Sequence, residues 1–148
     1  MTSVSKIVIC LFFGVLLGGC HGKKEQPLLT RSVTIGENKC IVQRMPSSFH
    51  EDMDEEDSRF DYFRVIIESK AKMMDSSHVN YLNFGIENSI KQVVEKDTLF
   101  PAFVQRVANG KKENYEYLVS FDKNPAEKNF EILIDDQVFE MGMISVKF

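Results

Sequence analysis

Phe60-Asp61-Tyr62-Phe63-Arg64-Val65-Ile66-Ile67-Glu68-Ser69 is the stretch on which the reading of the fold turns. It is dense in β-branched and aromatic side chains, which pack well on a pleated surface and lose χ1 freedom in a helix. A period of two places Phe63, Val65 and Ile67 on one face and Tyr62, Arg64, Ile66 and Glu68 on the other. One face is apolar and the other partly wet. The pattern predicts a strand that covers a core on one side.

The same period extends outward in both directions. Upstream, residues 32–35 and 40–43 flank the turn cluster Gly36-Glu37-Asn38 and read as an opening hairpin. Met45-Pro46-Ser47-Ser48 closes it, since proline cannot continue a central strand. Downstream, residues 70–75 suggest a helical turn, and residues 79–86 alternate with Leu82, Phe84 and Ile86 inward. Residues 86–96 are ambiguous: Ile86, Ile90, Val93 and Val94 have helical spacing. The β pattern on either side favours strand followed by loop there. Residues 99–107 read as an edge strand with Pro101 near its start, and Asn109-Gly110 as a turn. Tyr115, Tyr117, Val119 and Phe121 then share one face of a further strand. Phe130, Ile132 and Ile134 mark another, Asp135-Asp136 a tight turn, and residues 138–148 a closing strand. Seven or eight strands with turn signals at short intervals predict an all-β fold. The expected architecture is an antiparallel β-sandwich of immunoglobulin-like size over residues 31–148.

The chain begins quite differently. After Lys6, residues 7–17 are apolar apart from Gly14, and Leu17-Gly18-Gly19-Cys20 ends the run. About 11 apolar residues are too few to span a bilayer, which takes roughly 20. They suit the core of a secretory signal, about 7–15 residues long. Small residues before a cysteine let a peptidase approach that bond, and a thiolate is a ready acceptor for lipid. The stretch resembles the lipobox of bacterial lipoproteins. The resemblance implies a signal peptide over residues 1–19, acylation of the Cys20 thiol, cleavage before it, and a lipidated tether over residues 20–30. By the same resemblance, the absence of aspartate or an acidic cluster after Cys20 argues against inner-membrane retention and surface export. The expected location is the outer membrane, facing the periplasm.

Charge and cysteines narrow the function. The chain carries 18 basic and 22 acidic residues, a net charge of −4, and loss of residues 1–19 removes only Lys6. Such a domain has no electrostatic reason to bind nucleic acid or an anionic lipid surface, so the expected membrane contact is the lipid on Cys20. Cys10 leaves with the signal and Cys20 takes lipid, so Cys40 stands alone and reads as a small buried hydrophobe.

Few motifs carry chemistry. His50 to Asp57 holds six carboxylates in eight residues, an extended solvated segment by like-charge repulsion. Asp52, Asp54 and Asp57 are the candidate calcium ligands, although the spacing is not that of an EF-hand. No phosphate loop, paired-histidine or Cys-x-x-Cys motif occurs, and Ser120 and Ser145 lack a nucleophile-elbow context. The sequence therefore points to no catalytic residue and no cofactor. Tyr62, Tyr81, Phe100 and Phe103 fall on less apolar or edge faces, where a protein partner can dock. A lipobox, a short tether and a strand-rich domain together resemble the small β-sandwich lipoproteins of envelope-spanning machines, including type VI secretion and conjugation systems. That likeness implies an adaptor with protein partners in the cell envelope, engaged through an edge strand or the acidic segment. A periplasmic small-ligand or calcium-binding lipoprotein is the alternative.

Overall fold

The computed structural model describes residues 28–46, 49, 57–70, 74–123 and 129–148. The signal, Cys20, His50, Asp52 and Asp54 lie outside them, as does the middle of the expected helical turn at 70–75. Nine strands form among the described residues, one or two more than expected. They are β1 (Leu29–Ile35), β2 (Asn38–Arg44), β3 (Phe60–Glu68), β4 (Ile90–Val94) and β5 (Asp97–Leu99), then β6 (Phe103–Val107), β7 (Asn114–Asp122), β8 (Glu131–Asp136) and β9 (Gly142–Lys147).

Two antiparallel sheets result, one ordered β1-β2-β3-β7-β6 and the other β5-β4-β8-β9. With β1 set aside as an added edge, this is the strand order of the immunoglobulin sandwich. The four strands β2-β3-β7-β6 correspond to its ABED sheet, and β5-β4-β8-β9 to C′CFG. The chain crosses between sheets after β3, β5 and β7, and each crossing leads into a hairpin. The opening hairpin forms as the sequence suggests: Ile35 opposes Asn38 across the two-residue loop Gly36-Glu37. Gly36 takes φ +60°, the left-handed setting that such a tight loop needs and glycine adopts freely.

The core lies between the inner faces, as the alternation requires. Phe63, Val65 and Ile67 of β3 oppose Val119, Tyr117 and Tyr115 of β7 in register, all buried. Phe63 sits edge-on to Phe121, Phe130 and Phe148 at 5.6–5.9 Å between ring centres. Phe130 and Phe148 stack at 5.2 Å, and their backbones bond to each other. Cys40 is fully buried and free, as expected. Burial, and secondarily the Asp136 charge, push its thiol up to about 12.

Four expectations are corrected. Residues 79–86 are not a strand: an α-helical turn α1 (Ser76–Asn80), a wide turn (Tyr81–Gly85) and a 3₁₀ turn (Ile86–Ser89) form a continuous crossover from β3 to β4. Asp75 caps it, its carboxylate accepting from the His78 amide at 2.9 Å and the Ser77 hydroxyl at 2.7 Å. Leu82 and Ile86, four apart, point inward, and the buried Tyr117 hydroxyl donates to the Leu82 carbonyl at 3.0 Å. Phe84 is therefore turned out, 77 % exposed. Second, residues 99–107 divide between β5 and β6 in different sheets, and Phe100-Pro101-Ala102 carries the chain across. Third, Asp135 and Asp136 end β8 rather than forming the turn. The Asp136 carboxylate accepts from the amides of Val138, Phe139 and Met141, ordering the loop before β9 begins at Gly142. Fourth, Tyr62 is buried, packed against Phe49 and Phe60.

Candidate functional site: the open edge at β6

β6 is the last strand of the five-stranded sheet and pairs only with β7 among the described residues. In register, Val104 opposes Val119 and Arg106 opposes Tyr117, so these two side chains lie on the core side. Phe103, Gln105 and Val107 lie on the outer face, opposite Ser120, Leu118 and Glu116. The free side of the strand presents unpaired backbone donors and acceptors, a template for another strand.

Apolar groups flank both faces of that edge. Phe84 of the crossover shares a shallow groove with Val104, Arg106 and Tyr117. Arg106, itself exposed, donates to the Asn83 side chain and lies 5.5 Å from the Tyr115 ring centre. Phe100, 64 % exposed, lies under the Lys91 ammonium at 5.6 Å, and Phe103 is 46 % exposed on the outer face. Folded proteins blunt sheet edges with short strands, proline, bulges or charged side chains, inward-pointing ones included. β5 is blunted in that way, with only three residues led by Asp97. β6 carries no charge on its outer face and a single one, Arg106, on its core side.

Behind the edge, the outer face of the sheet holds an ion pair. Arg64 Nε donates to Glu116 Oε1 at 2.5 Å, and Asn109 Nδ2 to Glu116 Oε2 at 3.2 Å. The Arg64 hydrogen bond, and after it that from Asn109, hold the Glu116 carboxyl below the ordinary carboxylate range. A depressed folded-state pKa contributes stability that is full above the unfolded value and lost as pH falls through the folded one. Arg64 is 42 % exposed, so solvent screens the pair and its worth is about 1 kcal/mol. Glu116→Gln is accordingly expected to be less stable than the parent by that amount at about pH 6, the gap closing by about pH 3. Urea unfolding at the two pH values checks it, and a gap that stays constant would disprove the linkage.

The remaining sequence candidates are scattered. Phe100 and Phe103 are exposed at the edge, whereas Tyr62 is buried and Tyr81 half-buried. The Tyr81 hydroxyl donates to Ser89 Oγ at 2.6 Å and meets the Asp135 carbonyl at 3.2 Å, which makes it a brace. Asp57 opens a 3₁₀ turn (Asp57–Arg59), and its calcium partners Asp52 and Asp54 lie outside the described residues. Among the described residues no group of three His, Cys, Asp or Glu side chains is placed to hold a metal. His78 Nδ1 lies 3.1 Å from Asp75 on one helical turn. Ser120 is buried in β7, and Ser145 donates to Glu131. An open cleft of about 670 Å³ at the far end of the sheet mixes Glu37, Glu68 and Glu113 with Lys39, Lys70, Lys111 and Lys112, so both signs are interspersed along it.

Sequence reasoning missed Phe84, Gln105 and Val107. The four-residue spacing of Leu82 and Ile86 is the signal that would have turned Phe84 outward. The fold is an immunoglobulin-like β-sandwich whose five-stranded sheet ends in an open strand at β6. Comparison with protein-family models, with curated proteins and with solved structures finds no match to this chain.

Proposed function

We propose that the chain is a bacterial lipoprotein acylated on Cys20, whose sandwich is a structural or adaptor component of an envelope protein assembly. Type VI secretion is one setting for such a part. The observation that carries the reading is the β6 edge, where Phe84 and Phe103 are exposed beside unpaired backbone. Exposed apolar patches of this kind mark interaction sites, and strand addition to a free edge is a general mode of recognition.

The anchor fits that role. Leu28 is eight residues beyond Cys20. An extended chain of that length reaches roughly 28 Å. Through the strand registers, Leu29 shares one end of the sheet with Arg44, Phe63, Val119 and Val104. The docking edge thus begins at the tethered end of the domain, within reach of membrane-bound partners.

Crosslinked pull-down of the lipidated protein from its own envelope, read by mass spectrometry, tests this. The expected result is a few stoichiometric membrane-complex subunits, lost in a Phe84→Asp, Phe103→Asp variant of unchanged circular dichroism. Recovery of nothing above background would overturn the adaptor reading and favour small-ligand or calcium binding.

A further inference from the structure

We propose that Asn109 is a self-modification site, an asparagine that the folded chain converts to isoaspartate and aspartate at a rate set by the grip of Asn114 and Glu116 on its amide.

Asn109-Gly110 is the one Asn-Gly pair in the chain. Asparagine is a labile side chain, because the next backbone nitrogen can attack its amide carbon and close a cyclic imide. Glycine in the next position removes the Cβ that would obstruct that attack. Gly110 is exposed, takes φ +71°, and has open space where a Cβ would stand. Its amide N–H meets no acceptor among the described residues, so nothing holds the attacking nitrogen back. Asn109 Oδ1 accepts from the Lys111 amide at 3.0 Å. That donor polarises the carbonyl and faces the oxygen on which negative charge develops. Lys111 and Lys112 add two positive charges next to the nitrogen that becomes anionic.

The steps balance with water as the only co-reactant. Solvent base takes the Gly110 amide proton, and that nitrogen bonds to Asn109 Cγ. The Cγ–Nδ2 bond breaks, and Nδ2 takes a proton from solvent and leaves as ammonia. One water then adds across either C–N bond of the imide, which gives aspartate or isoaspartate at position 109. Nothing is oxidised or reduced.

The leaving nitrogen is held on the other side. Asn109 Nδ2 donates to Asn114 Oδ1 at 2.7 Å and to Glu116 Oε2 at 3.2 Å. Both bonds fix the amide against β7 and must loosen before Cγ can swing toward the Gly110 nitrogen. Two net hydrogen bonds slow the folded chain roughly 10- to 100-fold relative to the unfolded one. Conversion then inverts the grip. A carboxylate at position 109 has no hydrogen to donate, and it sets a second negative charge toward Glu116, which Arg64 also holds. Isoaspartate further lengthens the backbone within the loop between β6 and β7. The modification therefore loosens that hairpin irreversibly and records the age of the chain.

The purified, folded full chain, held at neutral pH in heavy-oxygen water and mapped by peptide mass spectrometry, tests this. The expected result is amide-to-acid exchange at Asn109, with one heavy oxygen per product and isoaspartate that a protein isoaspartyl methyltransferase labels. Asn114→Ala removes the shorter hydrogen bond and leaves Glu116 and Arg64 in place. It should convert about fivefold faster than the parent, with unchanged circular dichroism. Asn109→Gln, whose longer side chain closes only a larger ring, should take no label at this position. An Asn114→Ala chain that folds and converts no faster than the parent would overturn the control by the grip. The comparison of folded with urea-unfolded parent needs no substitution. A folded chain that stays intact at Asn109 while the unfolded one converts completely would overturn the site itself.

Discussion

Phe63→Ala is expected to lower the stability of the domain by about 4 kcal/mol, near the upper end for a buried aromatic truncation. The ring is fully buried and touches aromatic rings from both sheets: Phe121 of β7, Phe130 before β8, and Phe148 after β9. Removing it opens a cavity where the two sheets meet, and the three remaining rings, two of them stacked on each other, cannot collapse far into it. Nothing covalent compensates, because Cys40 is a free thiol and neither sheet is stapled. A domain of this size commonly has about 5–15 kcal/mol in all, so the variant should sit near the limit of folding. Phe63→Leu keeps most of the volume and should lose about half as much. Urea unfolding of the two variants checks this, with the midpoint falling and the slope unchanged. A loss for Phe63→Ala below about 1 kcal/mol would mean that the cluster is not the joint between the sheets.

The position of that joint was legible because burial on one face writes a period of two. Phe63, Val65 and Ile67, and their partners Val119, Tyr117 and Tyr115, could be assigned to shared faces before any pairing was known. Turn chemistry was equally local, as at Gly36. What stayed hidden depends on partners distant in sequence. Residues 79–86 alternate well enough to be a strand, yet the helical crossover wins. Asp75 caps it locally, and Tyr117 anchors it at Leu82 from 35 residues away. Tyr62 looked wet because Phe49, whose ring lies edge-on to it, comes from outside its own strand. The open edge at β6 was half visible. Phe103 stood out by type, but which strand ends a sheet is a property of the strand order, which the chain settles only when β7 takes the centre between β3 and β6. Asp135 and Asp136 illustrate the same limit in reverse. An acidic pair is ordinary turn chemistry, but here Asp136 serves the turn from the end of the strand by accepting three amides beyond it.

Cys20→Ala is expected to abolish incorporation of labelled fatty acid entirely and to leave the protein as uncleaved precursor or in the soluble fraction. Lipid transfer needs the sulfur as nucleophile, and the methyl of alanine offers no site for it. Each buried methylene contributes about 0.8 kcal/mol to membrane binding, so losing several chains of fatty acid removes an anchorage that a mildly acidic domain cannot replace through charge. Cys40→Ala is the internal control. Its thiol is fully buried and pushed up to about 12 by desolvation, so it should neither take lipid nor change the label. Cys20 lies eight residues before the first described residue, Leu28, and the sandwich should therefore fold unchanged in the Cys20→Ala chain. Labelled fatty acid on the Cys20→Ala chain would overturn the lipoprotein reading.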